Sequence, residues 1–120
     1  GMGPENHTLV RHDDGNGNMV FYPGTYVYSV FNFANWASKD PGVNWDDPTP
    51  FHSSDAQVTV WDGDILLASY DVNTAANIAE DWDWYHVFNI EVDAEGYFEI
   101  IPVNALTAAC PGHAYDQKYK

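Results

Sequence analysis

Residues 55–71 constrain the fold more than any other stretch of this chain. Ala56, Val58 and Val60 alternate with Gln57 and Thr59. That two-residue period sends successive side chains to opposite faces of a half-buried strand. Asp62-Gly63 follows, and glycine accepts a positive φ without steric penalty, so the pair supplies a tight turn. Ile65 to Tyr70 then returns as the partner strand. The segment reads as a β-hairpin.

Other stretches read the same way. Thr25 to Phe33 is β-branched and aromatic almost throughout, which suits a pleated surface. It is apolar on both faces, which predicts a central strand. Trp84 to Val92 is a further strand, Asp93-Ala94-Glu95-Gly96 turns the chain, and Tyr97 to Ile101 comes back before Pro102. His7 to Arg11 reads as an edge strand, Asp13 to Asn18 as a turn, and Met19 to Tyr22 as a short further strand. Helical periodicity is weak, with Thr74 to Glu80 and Asn104 to Ala109 as the best candidates for helical turns. Residues 34–54 and 72–82 read as loops, the first long enough to suggest a functional role.

About six to eight short strands separated by turn signals predict an all-β fold, an antiparallel Ig-like β-sandwich. A partly closed barrel is the second architecture. The expected core is Tyr26, Tyr28, Val30, Val58, Val60, Leu66, Val87, Phe88 and Ile90. The sandwich is expected over residues 1–106, with 107–120 a loosely attached tail.

Composition narrows the function. The chain has 120 residues, enough for one domain, and 45% of them are hydrophobic, which argues against intrinsic disorder. Its 4 basic against 18 acidic residues give a formal net charge of -14. Such a surface repels nucleic acid and anionic lipid, because phosphate binding needs clustered Lys and Arg. No apolar run approaches the roughly 20 residues of a membrane span, so no membrane insertion is expected. Cys110 stands alone, so no internal disulfide forms, and no basic neighbour stabilises its thiolate. No signal peptide is visible.

Four candidate constellations stand out. Asp13 to Asn18 has the oxygens of a calcium loop but not the EF-hand spacing, and reads as a plain turn. Asp46 and Asp47 in the long loop, with Asp81 and Asp83 before the Trp84 strand, are the candidate metal ligands. Carboxylates from two loops at one sandwich end suit calcium, the one cofactor the sequence suggests; the plain reading is solvated acids. Trp36, Trp45 and Trp82 are the candidate ligand contacts, with Trp84 beside them. Aromatic rings next to carboxylates and amides suit sugar stacking; the plain reading is that they cap the core. His7, His12, His52, His86 and His113 are scattered without metal-site spacing. No nucleophile elbow or phosphate loop is present.

Four segments carry a resemblance. They are Gly3-Pro4-Glu5 with Thr8-Leu9; Pro23-Gly24-Thr25-Tyr26-Val27-Tyr28-Ser29-Val30 running to Phe33; Ser54 to Trp61 with Gly63 and the strand to Val72; and Val87-Phe88-Asn89-Ile90. Together they resemble a β-sandwich module of large, uncharacterised bacterial surface and secreted multidomain proteins. The resemblance covers residues 3 to 104 with gaps at the two loops. Tyr85 stands where the pattern has Trp, and both loops are longer and more acidic than the pattern. Relatives also carry a further strand or hairpin before Gly3, which here would leave an edge open.

The resemblance implies an extracellular, cell-surface or periplasmic setting and a non-enzymatic role as a structural or interaction module. Its partners would be other domains of the same chain, a polysaccharide or a protein. The alternatives are a carbohydrate-binding module using the loop tryptophans and a small hydrolase using the loop carboxylates, which would need two acids facing a cleft.

Overall fold

A computed structural model describes residues 6–40, 42 and 48–112. Its strands are β1 (His12–Asp13), β2 (Met19–Val20), β3 (Gly24–Phe31), β4 (Gln57–Asp62), β5 (Ile65–Asp71), β6 (Trp84–Val92) and β7 (Phe98–Thr107). The described residues form one α-helix, α1 (Phe33–Lys39). All strand pairs between named strands are antiparallel, in three sheets: β1-β2, β3-β6-β7 and β4-β5. The fold is all-β.

The β4–β5 hairpin forms as its alternation predicts, with Gln57 opposite Asp71 and Val58 opposite Tyr70. Gly63 turns it at φ +60. Val58, Val60, Ala68 and Tyr70 from the hairpin meet Tyr28, Val30, Phe88, Ile90 and Ile100 from the three-stranded sheet in one core. Phe88 stacks on both Tyr28, with ring centroids 5.1 Å apart, and Tyr70, at 5.6 Å. Aromatic pairs of this kind add to the stabilisation that area burial supplies.

A bulge in β6 organises that core. Tyr28 faces Phe88 and Ser29 faces His86, so Val87 is passed over on one side; His86 faces Ala105 and Phe88 faces Pro102 on the other. An extra residue breaks the strict alternation of faces. Tyr85, Val87, Phe88 and Val92 are therefore all buried, although Val87 and Phe88 are neighbours in sequence. Across from the bulge Asn104 adopts φ +49.

Several sequence expectations need correction. β6, not β3, is the central strand of its sheet. β3 is an edge whose apolar residues are only partly covered. His7 to Arg11 forms no strand and is exposed, Leu9 included. The pairing begins at His12 instead, because the Asp14 carboxylate accepts the backbone N–H groups of Asn16 and Asn18 and closes the turn there. Leu66 is 50% exposed. The hairpin register shifts between Val60 and Trp61, placing Leu66 opposite Trp61, and a one-residue slip reverses the face a side chain occupies. Tyr26 is half-buried, and its hydroxyl donates to the Tyr22 carbonyl at 2.6 Å rather than entering the central cluster.

Asn104 to Ala109 is not helical. β7 continues to Thr107, and the Ala76 carbonyl accepts the Leu106 N–H on its outer edge. Near Thr74, a single 3₁₀ turn covers Val72–Thr74, with the Asp71 carboxylate accepting the Asn73 N–H. The strand read as far as Phe33 ends at Phe31, because Asn32 caps α1, which runs from Phe33 into the 34–54 loop; a 3₁₀ turn follows at Phe51–Ser53.

Candidate functional site

α1 lies at the Trp84 end of β6, and its own sequence explains why it forms. The Asn32 side chain caps it by accepting the Asn35 N–H, and Lys39 lies in the last turn, where a cation suits the helix dipole. Asp40 then leaves in extended backbone, as a residue preceding proline prefers. Ala37 and Asn35 are buried. Phe33 and Trp36, three residues apart, share one side of the helix, while Asn35 and Lys39, four apart, share another.

The second side is a polar clamp. The buried Asn35 amide donates to Asp81 Oδ1 and to Asp83 Oδ1, both at 2.8 Å. The Lys39 ammonium sits 2.8 Å from Asp83 Oδ2 and 3.6 Å from Asp81 Oδ2, and donates to the Asp81 carbonyl at 2.8 Å. The Asn32 N–H donates to the Asp83 carbonyl at 2.8 Å. Asp83 is nearly buried, its side chain 12% exposed, while that of Asp81 is 63% exposed. A buried carboxylate needs a partner, and α1 supplies two.

The first side is an aromatic surface. Phe31 and Trp84 face each other across the β3–β6 register, and their rings lie 4.6 Å apart. Trp36 lies 6.0 Å from Phe31 and 5.7 Å from Phe33. Phe31, Phe33 and Trp36 are 37%, 53% and 39% exposed, so the cluster faces outward. The interplanar angles run from 33° to 71°. The rings neighbour one another at centroid distances of 4.6 to 6.4 Å and present a faceted apolar surface.

The candidate residues of the sequence divide accordingly. Trp36 belongs to the surface cluster. Trp82 is half-buried and packs against the core. Asp81 and Asp83 come together, joined by Asn35 and Lys39. Trp45, Asp46 and Asp47 lie outside the described residues. Among the described residues no group of three or more His, Cys, Asp or Glu side chains is placed to hold a metal ion. Phe31, Phe33, Asn35 and Lys39 were not singled out by the sequence. Their signal is the capping Asn32 followed by Phe33, Trp36 and Lys39 at helical spacing, hidden across the end of a segment read as strand and the start of one read as loop.

A second apolar patch lies at the tip of the β4–β5 hairpin, where Trp61, Ile65 and Leu66 are 55%, 62% and 50% exposed. Arg11 ties this tip to the other end of β6. It pairs with Asp62 at 3.5 Å and lies 4.5 Å over the Phe21 ring, which meets Phe98, the partner of Val92. Eight residue steps at about 3.4 Å each put the Trp84 and Val92 ends of β6 roughly 27 Å apart. No family model, no curated protein and no solved structure matches this chain.

Proposed function

We propose that the chain is a non-catalytic interaction module of a larger extracellular, cell-surface or periplasmic bacterial protein, its two main sheets acting as the layers of an Ig-like sandwich. One observation carries the reading: the outward-facing cluster of Phe31, Phe33, Trp36 and Trp84, fixed in place by a clamp beneath it. Exposed contiguous aromatic surface on a highly charged chain marks a contact site. The acids beside it suit structure better than hydrolysis. Asp81 and Asp83 share one amide and one ammonium, whereas a hydrolase needs its two carboxyls free to flank a substrate.

A photo-crosslinking residue placed at Phe33 in the full-length parent, on intact cells, tests this. Crosslinks to a neighbouring domain or a surface partner are expected. A crosslinker that reacts only with water, on a chain that an added protease cannot reach from outside the cell, would reject both the contact and the setting. The carbohydrate-binding reading is favoured by Trp36 itself, and soluble polysaccharides that quench tryptophan fluorescence would establish it instead.

A further inference from the structure

We propose that Asn16 is a site of spontaneous deamidation driven by its own backbone, a one-way modification that opens the β1–β2 turn. The reaction needs a free side-chain amide as electrophile, a free N–H on the next residue as nucleophile, and room for a five-membered ring. The turn supplies all of these. Asn16 is exposed, and its side-chain amide makes no hydrogen bond among the described residues. Its backbone N–H is the group that the Asp14 carboxylate accepts, at 2.7 Å. The Gly17 N–H has no partner among the described residues. A Cβ added at Gly15 or at Gly17 would meet nothing within 4 Å, so the space on either side of Asn16 is open.

The other asparagines fail at least one condition. Each is followed by a residue whose side chain crowds the nucleophile; only Asn16 precedes a glycine. Asn18, Asn32, Asn35, Asn73, Asn89 and Asn104 also have their side-chain amides held in hydrogen bonds. Two aspartates precede glycine, but Asp14 is held by Asn16 and Asn18 and Asp62 pairs with Arg11. An ionised carboxylate is besides a poorer electrophile than an amide.

The Gly17 nitrogen gives its proton to hydroxide and attacks Asn16 Cγ. A C–N bond forms there, the Cγ–Nδ2 bond breaks, and ammonia leaves with a proton taken from water. Water then opens the ring at one carbonyl to give aspartate or at the other to give isoaspartate. In sum an amide and a water become a carboxylate and ammonium, with nothing oxidised or reduced. Isoaspartate routes the main chain through the former side chain and lengthens it by one atom. That displaces the Asn18 N–H, which Asp14 Oδ1 accepts at 3.2 Å, and the Asn18 carbonyl, which accepts the Asp14 N–H at 2.9 Å. The Asp13–Met19 and His12–Val20 pairs begin directly beyond those bonds. So short a ladder does not hold its register once the turn is lost.

The test holds the chain at neutral and at mildly alkaline pH and maps its peptides by mass spectrometry, with aspartate and isoaspartate separated by chromatography. The mass gain of an amide becoming a carboxylate is expected at Asn16 before any other asparagine, faster at the higher pH and with both products present. Native and urea-unfolded chains are expected to convert at comparable rates. Asn16→Gln loses the gain, because its longer side chain must close a larger ring. The isolated isoaspartate form exchanges the His12 and Val20 amides faster than the unmodified chain. Asn16→Asp, which carries the charge without the extra main-chain atom, does not. Another asparagine converting first would overturn the assignment, as would a native chain that converts about tenfold more slowly than the unfolded one. An isoaspartate form with unchanged exchange at His12 and Val20 would overturn the opening of the turn.

Discussion

Tyr85→Phe isolates one hydrogen bond on which the bulged centre of the fold depends. Tyr85 is fully buried, and its hydroxyl donates to Asn104 Oδ1 at 2.6 Å. Asn104 is the residue at φ +49 opposite the β6 bulge, and its amide donates to Thr74 Oγ1 at 3.0 Å. The substitution keeps the ring and its edge contact with Phe51 at 5.9 Å. It removes one neutral hydrogen bond and leaves the Asn104 carbonyl without that donor. Together these are worth about 1–2 kcal/mol. At roughly 4 °C per kcal/mol for a domain of this size, Tm falls by about 4–8 °C at neutral pH.

The same residue has a signature at high pH. Burial first, then the charges of Asp71 and Tyr70, push the Tyr85 phenol from 10.0 up to about 12. The phenolate is thus disfavoured in the folded chain more than in the unfolded one. The wild type keeps this contribution below pH 10 and loses it as pH rises through about 12. The phenylalanine variant has no such loss, so the gap between the two proteins narrows across that window. Urea unfolding followed by circular dichroism at pH 7 to 12, with tyrosine ionisation read by ultraviolet absorbance, measures both. Equal stability at pH 7, or a gap that widens above pH 10, would refute the assignment.

Lys39→Met removes the cation from the nearly buried Asp83, whose Asn35 bond remains; unfolding in urea should show a loss of about 1–3 kcal/mol, discounted for the part-exposed ammonium. Gly96 has φ +89, and an added Cβ would lie 2.5 Å from Val20 Cβ, so Gly96→Ala should cost about 1–3 kcal/mol and loosen β1–β2, read as faster amide exchange at His12 and Val20. The Asn16 backbone N–H, helped by Asn18, holds the Asp14 carboxyl below its ordinary 3.8; this contribution is present above pH 3.8 and fades as pH falls through the lowered value, and a carbon-detected titration with a midpoint above 3.8 would contradict it. Lys39 already fills the cation position between Asp81 and Asp83, so millimolar calcium should leave Tm unchanged, whereas a rise of several degrees abolished by a chelator would reveal calcium held by other carboxylates.

The sequence by itself determined the elements whose signal is local. The alternation of Val58 and Val60 with the Asp62-Gly63 turn specified the β4–β5 hairpin, and Trp84 to Ile101 specified β6, its turn and the start of β7, because strand period and turn chemistry are read within a few residues. The all-β class followed from those strands. Only the tertiary structure decided which strand is central, which way Leu66 faces, and that Val87 and Phe88 are both buried. Each of these depends on a bulge or a partner supplied from a distant part of the chain, and a bulge reverses faces without leaving a compositional mark.

The site divides in the same way. Trp36, Asp81 and Asp83 were visible as residue types. Their roles were not, because Asp83 is separated from Asn35 by 48 positions and from Lys39 by nearly as many. α1 is too short to declare itself by periodicity and stands because its buried Ala37 and Asn35 find tertiary partners. Once it does, Asp81 and Asp83 become its anchor, and the neighbouring rings are left facing outward.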